Sequence, residues 1–170
     1  MMIELNSLGE LSKSIDLEIP VEQIELDVEN ARLVAPVRLN CEVLRTGSQT
    51  DVTGKIATQI EVDCIRCLEP LSVPLKFDFD VRYIDALDFA VGSEHEISGE
   101  DLNADSLEGD KFDLVQVARE QLLLNLPEQI LCREDCRGIC GNCGANRNLT
   151  DCKCDDEEID PRWAALKNLK

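Results

Sequence analysis

Three segments of the chain alternate apolar and polar positions with a period of two, the pattern of strands with one buried face. Val37, Leu39, Cys41 and Val43 alternate with Arg38, Asn40 and Glu42. Val52, Ile56, Ile60 and Val62 share one face, with Lys55, Gln59, Glu61 and Asp63 on the other. Val73, Leu75, Phe77, Phe79, Val81 and Tyr83 alternate with Lys76, Asp78, Asp80 and Arg82. Thr46-Gly47-Ser48-Gln49 supplies the first turn and Cys64–Pro70 the second, which predicts an antiparallel meander of at least three strands. Residues 1–30 alternate only loosely, with Leu8, Leu11, Ile15, Leu17, Ile19, Val21, Ile24 and Leu26 among acids, and read as an edge strand or loop on the core.

Helical spacing begins after Asp113, an N-cap with Gln116 three residues on. The helix should bury Leu114, Ala118, Leu122 and Leu126 and stop before Pro127. A short last helix is predicted from Asp160-Pro161, with Trp163, Leu166 and Leu169 on its apolar side and Lys167 and Lys170 at its carboxyl end. No internal repeat is visible. The expected fold class is α+β: an antiparallel β meander with a packing helix and a zinc-stapled carboxyl-terminal tail. The expected domains are an α+β core over 1–131, carrying an acidic loop at 85–111, and a cysteine-rich zinc knuckle with a short helix over 132–170.

Composition narrows the functional classes. The formal charge is −18, from 17 Lys and Arg against 35 Asp and Glu. Such a surface repels phosphate backbones and anionic lipids and suits basic protein partners, so no direct nucleic-acid binding and no membrane association are expected. Glu94–Asp110 holds seven acids and no Lys or Arg, a solvated segment by composition. The beginning of the chain, Met1-Met2-Ile3-Glu4-Leu5, shows no signal segment, and no stretch approaches the length of a membrane span; the expected compartment is the cytoplasm. Aromatic residues are only 4%, so the core must be built from Leu, Ile and Val.

In a reducing compartment, nine cysteines are thiols or thiolates rather than disulfides, and the odd count argues against a closed disulfide framework. Cys64-Ile65-Arg66-Cys67 is a CxxC pair at the second hairpin turn. A thioredoxin-type redox pair needs its first cysteine at a helix start, whereas here Pro70 and a strand follow. The tail adds Cys132, Cys136, Cys140, Cys143, Cys152 and Cys154, interleaved with Gly138, Gly141 and Gly144 where tight turns are needed. Packing thiols sit singly in apolar periods; these flank charged residues. Cys41, on the apolar face of its strand, reads instead as a small core residue.

Eight thiols make two sites of four, and a sulfur-only donor set favours zinc or an iron–sulfur cluster. Zinc is preferred, two ions per chain, because every position looks committed; a closed site leaves no open position for catalysis. His95, the lone histidine, has no cysteine neighbours, and there is no phosphate loop and no serine elbow, so no enzyme is expected. Eight residues separate Cys143 from Cys152, so a site of Cys140, Cys143, Cys152 and Cys154 closes cheaply and leaves Cys64, Cys67, Cys132 and Cys136 for the other. The competing division joins Cys132, Cys136, Cys140 and Cys143.

The run Cys64-Ile65-Arg66-Cys67-Leu68-Glu69-Pro70, the helix from Asp113-Leu114 to Leu126-Pro127, the Cys132-x3-Cys136-Arg137-Gly138-x-Cys140-x2-Cys143-Gly144 segment and the ending Asp160-Pro161-Arg162 together resemble the YceD family. That family comprises bacterial and plastid proteins needed for accumulation of large-subunit ribosomal RNA, with genes commonly beside that of a small large-subunit ribosomal protein. The resemblance implies a non-catalytic ribosome-assembly role, with a basic ribosomal protein or a large-subunit precursor particle as partner. Some members lack most tail cysteines, so metal is not the mechanism of the whole family. Asn146-Arg147-Asn148 stands where many relatives read Asn-Leu-Asn. The rival readings are a thiol redox switch that releases metal on oxidation and an iron–sulfur protein.

Overall fold

The loose alternation at the start of the chain yields three short strands, β1 (Met2–Glu4), β2 (Lys13–Ile19) and β3 (Ala31–Leu33). The three strongly alternating segments form the long strands β4 (Val37–Thr46), β5 (Gln49–Asp63) and β6 (Pro70–Asp85). β7 (Ala104–Leu107), β8 (Lys111–Asp113) and a helix, α1 (Leu114–Leu124), follow. This computed structural model describes residues 2–4, 12–86, 104–107, 109, 111–154 and 162. The acid-rich stretch around His95 and the helix expected from Asp160 lie outside the described residues.

Two compact units emerge: Met1–Val62 with Ser72–Glu128, and Asp63–Leu71 with Gln129–Lys170. In the first, β2, β4, β5, β6 and β7 lie side by side in that order, and β3 pairs with the far end of β5. β4 buries every second residue, and register carries the alternation across the sheet: Ile15 faces Cys41, Leu17 faces Leu39, and Leu39 faces Ile56. Cys41 pairs with Gly54, where a Cβ would sit 2.7 Å from the Cys41 Cβ and 2.5 Å from the Asn40 carbonyl oxygen. Only glycine fits there without moving backbone.

α1 starts as expected, the Asp113 carboxylate accepting from the Val115 N–H at 3.1 Å. Gln116 does not reach back to the cap; its amide donates to Glu120 one turn on. The helix ends at Leu124, earlier than expected, with Asn125 closing it. Leu114, Val117, Ala118 and Leu122 join Val37, Leu39, Val43, Val52 and Ile56 in one core. β1 and β8 form a separate two-stranded ladder that brings Ile3 and Phe112 into the same core, Phe112 edge-on to Tyr83 at 5.0 Å.

The structure corrects the α+β antiparallel meander. The protein is mostly β, with an α-helix of 11 residues and one 3-10 turn at Val21–Gln23 among the described elements, and its sheet is mixed because β7 runs parallel to β6. β7 is Ala-Asp-Ser-Leu, with no strand propensity of its own. Its pairing, Arg82 with Ala104 through Asp85 with Leu107, is a tertiary contact that local alternation cannot announce.

Candidate metal centres

The second unit contains all eight candidate ligands and, among its described residues, very little apolar core. Its buried residues among the described ones are Cys64, Cys67, Cys136, Gly138 and Cys140, with Leu71, Leu131 and Cys132 partly buried around the first three. Ile65, Leu68, Ile139 and Leu149 are exposed.

Two tight turns present the thiols. In Cys64–Leu68 the Leu68 N–H donates to the Cys64 carbonyl at 2.9 Å, and in Cys140–Gly144 the Gly144 N–H donates to the Cys140 carbonyl, also at 2.9 Å. The residue after the second cysteine is left-handed in both, with φ of 59° at Leu68 and 72° at Gly144. The turns are the same device, but one carries a leucine where the backbone favours glycine.

The sulfurs gather in two tetrads, Cys64 with Cys67, Cys132 and Cys136, and Cys140 with Cys143, Cys152 and Cys154; within each, all sulfurs lie within 4.8 Å of one another. This grouping is the one loop closure favoured over the division by sequence neighbours. In the first tetrad Cys64 and Cys136 sulfurs are 3.8 Å apart and those of Cys67 and Cys132 3.6 Å. A tetrahedral ion with metal–sulfur bonds of about 2.3 Å sets its ligand sulfurs about 3.8 Å apart. The tetrads therefore have the size of one ion each, and either could hold a metal. Cys41, buried at 2% exposure in the core of the sheet, joins neither. Burial, then the nearby Asp16 carboxylate, pushes its thiol up to about 11.

Backbone donors prepare thiolates. Burial raises the Cys64 thiol, but N–H groups of Cys67, Cys132 and Arg66 outweigh it and bring it down to about 6. Cys140 falls to about 6 through the N–H groups of Cys143 and Asn142. Four like charges cannot share so small a space unaided: burial, then its neighbouring sulfurs, pushes Cys132 up to about 12, and Cys143 and burial do the same to Cys154. A bound dication would remove that conflict.

Polar contacts tie the Cys136–Cys140 segment to the Cys64–Cys67 turn and the loop between Cys143 and Cys152 to Cys136. Ile139 donates to the Arg66 carbonyl at 3.0 Å, and Gly138, at φ 71°, lies so close that a Cβ there would be 3.0 Å from that same oxygen. The Arg66 guanidinium donates to the Cys136 carbonyl at 3.0 Å. Asn148 donates its amide N–H to the Cys136 sulfur at 3.3 Å, a contact the cysteine spacing did not reveal.

A mostly β unit rich in acids and a glycine-punctuated cysteine unit whose two tetrads could each hold a metal ion define the class of protein; among the described residues no helix is long and apolar enough to cross a membrane. The chain belongs to the YceD family: the model of the family described as large ribosomal RNA subunit accumulation protein YceD matches residues 52–170. It is 27% identical to the chloroplastic large ribosomal RNA subunit accumulation protein YCED homolog 1 of Arabidopsis thaliana, over 87% of this chain and 53% of the plant protein. It is 30% identical to an uncharacterized protein of Mycobacterium tuberculosis over 69% of this chain and 54% of that one. It is 26% identical to the uncharacterized protein YlbN of Bacillus subtilis, over 92% and 88% respectively. The chain thus spans about half the length of the plant and mycobacterial relatives. No solved structure matches it.

Proposed function

We propose that this chain is a non-catalytic zinc-binding factor for assembly of the large ribosomal subunit and accumulation of its RNA, acting through a basic protein partner. The observation that carries the metal is the sulfur geometry: two tetrads sized for single ions. An iron–sulfur cluster spreads its four cysteines over two or four irons, wider than one ion does, so zinc fits better. Each ion would be held by four thiolates and would supply only cross-linking and charge neutralisation. Every ligand position would be filled, which leaves no site for a reacting molecule. The assembly role rests on the family and on its plant relative's name.

Charge supports the choice of partner. The first unit carries 25 acids against 9 Lys or Arg, so nearly all of the chain's negative charge resides there. Within it an open groove of about 590 Å³ has Asp80, Asp105 and Glu120 at its walls, with Val81, Leu123 and the exposed Leu124 beside them. A cationic segment with apolar neighbours suits that lining, and steering would make association fast but salt-sensitive.

The test is genetic. Cells lacking the protein should lose large-subunit ribosomal RNA relative to small-subunit RNA, and the wild-type chain should restore it. A chain with Cys64→Ser and Cys67→Ser should not. An unchanged RNA ratio in the deletion would end the proposal. Tight, salt-dependent binding of the purified chain to ribosomal RNA would overturn the choice of a protein partner.

A further inference from the structure

The loop closed by the second tetrad reaches into the first. Asn148 lies between Cys143 and Cys152, yet its side-chain amide donates to the sulfur of Cys136, a member of the other tetrad, at 3.3 Å. The orientation of that amide is fixed by its own partner. The Asn148 carbonyl oxygen accepts the Arg137 backbone N–H at 2.8 Å, and an N–H can only donate, so the NH₂ end must face the sulfur. Asn146 sets Asn148 in turn: its side-chain oxygen accepts the Asn148 N–H at 2.9 Å, while its NH₂ donates to Glu69, beside the Cys64–Cys67 turn, at 3.0 Å.

The loop is pinned at several further points. The Arg147 N–H donates to the Gly138 carbonyl and the Cys140 N–H to the Ala145 carbonyl, at 2.9 and 2.8 Å. Arg137 pairs with Asp151 at 2.9 Å. Among the described residues no buried apolar side chain anchors this loop: Leu149 is 78% exposed, and the described cysteine unit buries few side chains other than cysteines. Beyond these polar contacts the loop is fixed at its ends, and its ends are the second tetrad.

From this we infer that the two tetrads are one linked device, in which a metal ion on Cys140, Cys143, Cys152 and Cys154 tightens metal binding at Cys64, Cys67, Cys132 and Cys136 by fixing Asn148 as a donor to Cys136. The inference rests on the metal reading above. Asn148 is a positioning residue: it binds no ion but orients and stabilises a ligand that does, and removing such a partner commonly weakens a metal site 10–100-fold. Linkage makes the effect reciprocal, so an ion on the first tetrad tightens the second by the same factor.

The experiment uses the full chain in four forms: wild type, Asn148→Ala, Cys152→Ala with Cys154→Ala, and all three substitutions together. Zinc affinities come from competition with a chromophoric chelator, and loading of each tetrad is followed through ¹¹³Cd resonances of the cadmium-substituted protein. Asn148→Ala should still take two ions at saturation, which shows that it folds, with the first tetrad at least tenfold weaker. The double substitution should weaken the first tetrad by a similar factor, and adding Asn148→Ala to it should weaken it no further. An Asn148→Ala chain that binds both ions with wild-type affinity overturns the inference, as do additive losses in the triple variant. A wild-type chain that takes up no zinc would instead refute the metal reading, a separate outcome.

Discussion

The sheet unit and the cysteine unit solve the same problem, closing a chain on itself, with opposite means. The sheet unit buries Val37, Leu39, Val43, Val52 and Ile56 completely or nearly so and adds four helix residues to them. Its stability is the ordinary sum of apolar burial, and it tolerates 25 acids because none of those described is buried. Among its described residues the cysteine unit has no comparable core. Its turns aim sulfurs inward, Ile65, Leu68, Ile139 and Leu149 face water, and on the metal reading such a unit would draw its folding energy from the ions. Its charge differs as well: 10 acids against 8 Lys or Arg. The lesson is that acidity and the candidate metal ligands belong to different regions, so the proposed recognition by charge and the proposed closure by metal can be broken separately.

The largest expected effect follows from that separation. A strong chelator should unfold the cysteine unit alone, because structural zinc contributes on the order of 10 kcal/mol to folding. Hydrogen exchange should show protection lost over 63–71 and 129–154 and kept in β4 and β5. Simultaneous loss from both units would break the comparison.

Next in size, Gly54→Ala should destabilise the sheet unit by about 2–3 kcal/mol in denaturant melts, since the new Cβ meets backbone at Asn40 and Cys41. Metal content should not change. Cys41→Ala should cost about 1 kcal/mol near pH 7 and also leave the metal untouched. Its thiol titrates near 11 in the folded chain and lower when unfolded, so above about pH 9 the unfolded state releases the proton first. Wild-type stability must therefore fall as pH rises from 9 towards 11, and the deficit of Cys41→Ala should shrink across that window. The smallest effect has the opposite sign. Leu68→Gly relieves a left-handed leucine and should stabilise the first tetrad's turn by up to about 1 kcal/mol, seen as slower zinc loss to a chelator.

Much of this was legible in the chain because it is local. Alternation located β4, β5 and β6, the Asp113 cap located α1, and loop closure favoured the two groups in which the structure sets the sulfurs. What escaped was non-local. β7 has a nondescript sequence and exists by pairing with β6, so the mixed, mostly β character of the sheet could not be read from periodicity. Asn148 looks like a loop residue until the fold sets it against Cys136, and Leu68 gives no sign of its positive φ until its turn is seen beside that of Gly144. Gln116 shows the reverse: a residue at the right spacing for a capping box whose side chain bonds elsewhere.

The central claim is that eight thiolates hold two ions and that these ions close the cysteine unit. Elemental analysis of protein purified without added metal, combined with thiol titration in the native state, tests it most directly. The account predicts close to two zinc per chain and, of the nine cysteines, none reacting rapidly until a chelator is added, with Cys41 still protected afterwards. A metal-free chain whose cysteine unit is folded, with its eight thiols free to react, would contradict it.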